Sequence, residues 1–180
     1  MKAPIITTKR LILKPLTIEH LSQDYVNWLN DIEVYKYLET GGNFTIEMLQ
    51  EYLKEVEKKD IYFWAIHKKE GNLHLGNIKI DPINMKHGIA EYGIMMGRKN
   101  EWGKGYATEA TDAIIRFYFN SLNIRKLTLG VVSDNISAYK LYQKLGFEVE
   151  GIYKKHGKYQ GKYCDIIRMA LFNPNYKTND

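Results

Sequence analysis

The stretch Asn100-Glu101-Trp102-Gly103-Lys104-Gly105-Tyr106-Ala107 constrains this chain more than any other. It lies between an apolar run, Ile89 to Met96, and a stripe at helical spacing made by Tyr106, Ala110, Ala113, Ile114 and Phe117. A further strand-like run, Lys126 to Val132, follows. A strand that passes through two glycines into a helix leaves unpaired backbone N–H groups at the positive end of that helix, where phosphates bind. Glycine has no Cβ to hold a ligand away from the backbone. A plain, flexible helix start has the same pattern, so the rest of the chain must decide.

Two familiar phosphate loops fail. A Walker A loop needs Gly-x-x-x-x-Gly-Lys-Ser/Thr, but Gly97 and Gly103 stand one residue too far apart and Gly105 follows Lys104. A dinucleotide fingerprint needs a small residue where Thr108 stands and an acid about 20 positions on, and the run Lys126 to Val132 carries none.

The remaining elements read in order. Leu11 to Leu16 alternates as a strand, and Thr17 introduces a helix with Ile18, Leu21, Tyr25, Trp28 and Leu29 on one face. A second helix runs from about Thr45 to Asp60, with Met48, Leu49, Tyr52, Leu53 and Val56 forming its stripe. Strands follow at Ile61 to His67 and Leu73 to Ile80, the latter stopped by Asp81-Pro82. In the strand Ile89 to Met96, Gly93 marks a bulge or a close backbone approach. A helix from Asn135 to Leu145 is capped by Gly146, and strands near Phe147 to Tyr153 and Cys164 to Leu171 end the series. The order predicts an α/β or α+β fold, a mixed sheet of about seven strands flanked by about four helices.

A chain of 180 residues is expected to form one domain, with its core over about residues 10–172. A single cysteine, Cys164, allows no intrachain disulfide, and no apolar run has signal-peptide or membrane-spanning length. The expected location is cytoplasmic, with no membrane partner. The net charge of +5 suits a small polyanion, but no RNA-recognition motif accompanies it, so no nucleic-acid partner is expected. The five histidines and Cys164 show no metal-ligand spacing and are read as structural or surface residues.

The segment Asn100 to Gly105 resembles the Gln/Arg-x-x-Gly-x-Gly/Ala pattern of the GNAT acetyltransferase superfamily, with Asn100 in place of the usual Gln or Arg. The run Asn135-Ile136-Ser137-Ala138-Tyr139-Lys140-Leu141-Tyr142-Gln143-Lys144-Leu145-Gly146-Phe147 resembles the same family's cofactor-side helix. Asn135 and Tyr142 fall two turns apart on one helix face, so both can address one extended ligand. The resemblance extends over roughly Arg10 to Phe172 and includes the subgroup of ribosomal-protein N-terminal and spermidine acetyltransferases.

It implies a sheet splayed where strand 89–96 meets strand 126–132, acetyl-CoA as cofactor without a metal, and direct attack of a primary amine on the thioester. It also implies cofactor binding by Ile94, Met95, Met96, Trp102, Gly103, Lys104, Gly105, Tyr106, Ala107, Asn135 and Tyr142. The main chain near Gly93 would stabilise the oxyanion. Tyr142 matches the tyrosine that protonates the departing thiolate, and a phenol with a reference pKa of about 10 is protonated at neutral pH. Its competing reading is one more aromatic of a core stripe. Glu91 is the candidate base, against the alternative of a charge that merely faces solvent; Glu109 is expected to complement the helix dipole. A lysine-like amine with pKa near 10.4 loses roughly 4–5 kcal/mol to deprotonation at pH 7, and an α-amine near 8 only about 1–1.5.

Relatives flank the acceptor with the segments Asn27 to Tyr37 and Tyr153 to Tyr163. Trp28, Tyr35 and Tyr37 are therefore candidates, with Glu91, for substrate binding; Trp28 equally fits the apolar face of its helix. The second segment carries five basic residues, which repel a polyamine and suit a nucleotide-linked amino sugar, or else form a solvated hairpin. A polyamine, a protein N-terminus and a cofactor-binding protein without turnover, or an RNA-associated module, stay open as alternatives. A homodimer is implied by the relatives alone.

Overall fold

The computed structural model describes residues 3–177. Eight strands form one sheet in the order β1 (Ile6–Thr7), β2 (Leu11–Pro15), β3 (Tyr62–Lys68), β4 (His74–Asn84), β5 (Ile89–Met96), β6 (Lys126–Val132), β8 (Lys162–Phe172), β7 (Glu148–Tyr159). The helices are α1 (Gln23–Asn30), α2 (Ile32–Tyr35), α3 (Ile46–Lys58), α4 (Tyr106–Ser121) and α5 (Ile136–Lys144). This is the expected mixed class, with one more strand and one more helix than the pattern suggested. The extra strand is the two-residue β1, paired with Leu13 and Ile12. The extra helix arises because the segment after Thr17 is rich in capping residues. After a short 3-10 turn, Ile18–His20, the Ser22 hydroxyl accepts from Tyr25 N at 3.2 Å and starts α1; Asp31 then accepts from Glu33 N at 3.0 Å and starts α2. One expected helix becomes three short pieces.

Contacts divide the chain into two compact units, one reaching to Ile80 and including Gly93–Ala110, the other comprising Asp81–Tyr92 and the chain from Thr111 onward. In the first, β2, β3 and β4 pair antiparallel, through Leu13↔Ile66 and Trp64↔Ile78 among others. Its core gathers Leu16, Tyr25, Val26, Trp28 and Leu29 against Leu49, Leu53 and Val56 of α3. The α3 stripe is narrower than expected, since Met48 and Tyr52 face outward. Leu49 and Leu53 are fully buried, so truncating either to alanine costs about 2–5 kcal/mol. The close backbone approach lies at Gly76, not Gly93. A β-carbon at Gly76 would collide with the Met95 carbonyl oxygen, whereas at Gly93 it would meet only Lys79 methylenes at 3.7 Å.

The second unit joins β5 to β6 in parallel from Ile89↔Lys126 to Glu91↔Thr128. β6 then runs antiparallel to β8, and β8 to β7. Asp81-Pro82 does not end β4, which continues to Asn84; β3 has already ended at Tyr62↔Ile80, so the proline removes no β3 ladder bond. The final strands are longer than expected because Gln160 and Gly161, both at positive φ, close a two-residue hairpin between Tyr159 and Lys162.

Candidate active site

In the first unit the two turn glycines take left-handed backbone, φ +75° at Gly103 and +82° at Gly105, and a β-carbon at Gly103 would meet nothing within 4 Å. The turn delivers the chain into α4, whose first-turn N–H groups lack helical partners. Open space over glycine backbone at a helix start fits a diphosphate. Trp102 is half-exposed and donates its indole N–H to the Met96 carbonyl at 2.9 Å, which ties the turn back to β5. The Lys104 ammonium is drawn 3.0 Å from Glu101. Ile94, Met95 and Met96 form the half-buried end of β5, and Ala107 follows Tyr106 in the first turn of α4.

Arg10 braces this turn, a role not read in the sequence. Its guanidinium donates to the Lys104 carbonyl at 2.9 Å and to Glu109 Oε2 at 2.6 Å, and lies 4.4 Å from the Tyr106 ring centre. Glu109 also accepts from the Arg10 backbone N–H at 2.8 Å and the Thr8 hydroxyl at 2.6 Å. Burial alone would push the Glu109 carboxyl up, but these hydrogen bonds and the guanidinium together hold it below the usual carboxylate range. The expected dipole partner of α4 is thus also the anchor of Arg10, the residue before β2.

Beside the turn, Asn27, Trp28, Asp31, Arg98, Lys99 and Asn100 line an open pocket of about 330 Å³. Trp28 is 7% exposed and packs in the core, 4.9 Å from the His74 ring and 5.6 Å from Tyr25. Only Gly97 leaves room for its indole. Tyr35 lies against Gly41 and Gly42 of its own loop, and Tyr37 is half-buried beneath the Lys36 ammonium at 5.5 Å. The carboxylates here are matched with cations: Asp24 with Arg98 at 2.5 Å, Asp31 with Lys99 at 2.5 Å, Glu33 with Lys36 at 3.0 Å.

In the second unit Glu91 receives both ends of the Arg168 guanidinium, at 2.9 and 3.0 Å. The ion pair reaches across from β5 to β8 because Gly130, opposite Arg168 on β6, has no side chain; a β-carbon there would press on Arg168 and Ile166. Glu91 raises the Arg168 pKa still further. An isolated arginine among the apolar residues of β8 was the available sign that a charged partner was waiting.

Tyr142 is buried on α5, edge-on to Tyr92 at 5.8 Å and tilted against Phe147 at 5.8 Å. Burial raises its phenol pKa well above the ordinary value, so it remains a proton donor at any working pH. Among the described residues its hydroxyl has no hydrogen-bond partner, whereas that of Tyr92 is engaged with Thr111 at 2.7 Å. Asn135 is the N-cap of α5, not part of it, and its side-chain Oδ1 accepts from Ala138 N at 3.2 Å. Its amide NH₂ is the part left for a ligand. Among the described residues no cluster of three or more His, Cys, Asp or Glu is arranged to hold a metal, and no helix is long and apolar enough to cross a membrane.

The family model of an acetyltransferase (GNAT) domain matches residues 10–148. An uncharacterized N-acetyltransferase, p20, of Bacillus licheniformis is 28% identical across 94% of this chain and 96% of its own. The spermidine N(1)-acetyltransferase of Escherichia coli K12 is 32% identical across 91% of this chain and 87% of its own. Among solved structures, the spermidine N-acetyltransferase of Vibrio cholerae in complex with CoA and spermine superimposes with a TM-score of 0.83 at 25% identity, covering 94% of this chain and 99% of that one. The matched region starts at the arginine that braces the glycine turn and runs past Tyr142 to the first residue of β7, so the chain belongs to the GNAT family and is an acetyl-CoA-dependent N-acetyltransferase.

Proposed function

We propose that this enzyme acetylates a weakly basic primary amine on an anionic acceptor, of which a nucleotide-linked amino sugar is the best match. The observation that carries this reading is the pairing of the carboxylates in and beside the acceptor-side segments: Asp31 and Glu33 within the first with Lys99 and Lys36, and Asp24, Glu91 and Asp165 outside them with Arg98, Arg168 and Lys154; Tyr153 to Tyr163 carries no acid. A polyamine needs free negative charge; these segments offer none and carry unpaired lysines on the last hairpin besides. The spermidine acetyltransferases among the relatives make the polyamine the second reading.

The cofactor supplies an acetyl thioester. The N–H groups around Gly103, Gly105, Tyr106 and Ala107 would hold its diphosphate, the main chain of Ile94 to Met96 would pair with its amides, and the Asn135 amide would donate to it. Tyr142 would hold the proton that the leaving thiolate needs. Glu91 is held in place by two guanidinium hydrogen bonds, which suits an anchor, so it orients the acceptor amine and does not deprotonate it. An amine flanked by electronegative sugar oxygens is weakly basic, and one with pKa near 8 gives up only about 1–1.5 kcal/mol at pH 7 without any base.

The test is release of free thiol from acetyl-CoA with a panel of a nucleotide-linked amino sugar, spermidine and an N-terminal peptide. The amino sugar is expected to give the highest kcat/KM; a preference for spermidine overturns the acceptor assignment.

A further inference from the structure

A second pocket, about 320 Å³, opens on the other side of Arg10 and is lined by Lys9, Arg10, Lys68, Lys69, Glu70 and Tyr106. Its charges do not balance internally. Arg10 is neutralised by Glu109 at 2.6 Å, and Glu70, itself largely exposed, is 3.2 Å from Lys68. Among the described residues Lys9 and Lys69 have no ionic partner. Three lysines against one carboxylate leave two uncompensated positive charges around one concavity. A phosphate monoester carries about −1.5 to −2 at pH 7, concentrated on one phosphorus, which matches two uncompensated positive charges around one concavity.

The pocket is also joined to the glycine turn by its own walls. Arg10 lines the pocket and donates to the Lys104 carbonyl within the turn. Tyr106 lines it too and is the first residue of α4, its ring stacked under the same guanidinium at 4.4 Å. The backbone fixes the lysines: Lys69 N donates to the Arg10 carbonyl at 2.9 Å, which sets Lys68 and Lys69 beside the start of β2.

We infer that Lys9, Lys68 and Lys69 form a subsite for the one phosphate monoester of the cofactor, the 3′-phosphate on its adenosine, next to a turn that takes the diphosphate. This inference rests on the acetyl-CoA reading above and extends it to a feature by which the enzyme tells coenzyme A from its 3′-dephospho form.

Calorimetric titration of the full chain with CoA and with 3′-dephospho-CoA tests it. Two or three charge-assisted hydrogen bonds to a dianion predict that CoA binds about 10- to 100-fold more tightly than the dephospho form. In the doubly substituted Lys9→Gln, Lys69→Gln protein that ratio is expected to fall to about threefold or less, with affinity for 3′-dephospho-CoA unchanged. Equal binding of the two ligands by the unsubstituted protein overturns the inference while leaving the cofactor reading intact, and so does a ratio that survives the substitutions. Were the pocket a site for a free anion, inorganic phosphate would bind in the presence of saturating CoA, which also overturns it. No binding of CoA at all removes the cofactor reading and the subsite together.

Discussion

The glycine turn and the Glu91–Arg168 pair are built on opposite principles. At the turn, the groups proposed to bind are backbone N–H donors, and side chains hold the backbone still: Arg10 grips the Lys104 carbonyl and Trp102 grips Met96. In the second unit the groups proposed to act are side chains, and the backbone serves by getting out of the way, as Gly130 does under Arg168. A backbone site tolerates changes in its own side chains but not in its braces. A side-chain site fails at the reacting group itself.

The sharpest break between them is Tyr142→Phe. Removing the phenol O–H is expected to lower kcat about 100-fold or more while CoA binding stays within about twofold, because the ring packing on Tyr92 and Phe147 is retained. A kcat within a factor of about two of the parent protein would take Tyr142 out of the mechanism.

Acid separates the two units next. His20, His67 and His74 cluster in the first unit, His67 stacked on His74 at 4.9 Å and both 4.9–5.3 Å from another imidazole or indole ring. Burial lowers all three pKa values, that of His74 to about 3, with the Lys14 charge adding to the depression of His20 and His67; Glu19 near His20 and the hydrogen bonds of His74 to Asn77 and Gly76 act the other way. A histidine whose folded pKa is depressed favours the folded state fully above the unfolded value near 6.5. That contribution is lost as pH falls toward the folded value. For His74 alone the loss by pH 5 is about 2 kcal/mol. Denaturant midpoints measured between pH 7.5 and 5 should fall accordingly, and a His74→Asn protein should show a flatter profile. A parent profile that is flat over this range would place the cluster in contact with water.

The glycine turn and the helix after it were legible because their constraints are local. Gly103 and Gly105 announce a left-handed turn, and Asn135 caps the helix that carries Tyr142. What could not be read are partners brought together only by tertiary register. Thr8 and Arg10 meet Glu109 about a hundred positions later, and Arg168 meets Glu91 only because Gly130 lies between β5 and β8 in the sheet. The same holds for the three histidines, which have no motif in the sequence and share a core only once β3, β4 and the 3-10 turn before α1 pack. Trp28 shows the reverse ambiguity: helical periodicity and a recognition role predict the same residue type, and the side chain both packs against His74 and Gly97 and lines the open pocket.

The brace is the next thing to remove. Arg10→Ala is expected to weaken CoA binding about tenfold with kcat nearly unchanged, since it loosens the cradle and touches no reacting atom. Arg10 is 41% exposed, which discounts its ion pair, and the accompanying loss of folding stability should be no more than about 1–2 kcal/mol. Glu109→Gln should reproduce most of the effect, and the double substitution should add little, because both residues belong to one network. Additive losses would mean that Arg10 acts on the ligand directly and not through the turn.

The smallest effect belongs to the Glu91–Arg168 pair, and its sign is the informative part. Arg168→Gln leaves Glu91 without its guanidinium, so the carboxylate is less fixed. If Glu91 anchors the acceptor, the acceptor KM should rise about three- to tenfold, kcat should change little, and Arg168→Lys should restore only part of the loss because one ammonium cannot serve both oxygens. If Glu91 is instead the base, freeing it should raise kcat at pH values below neutrality and shift the acid limb of the kcat profile. A KM effect with an unmoved acid limb therefore keeps Glu91 on the binding side of the comparison, and a moved limb transfers it to the chemistry beside Tyr142.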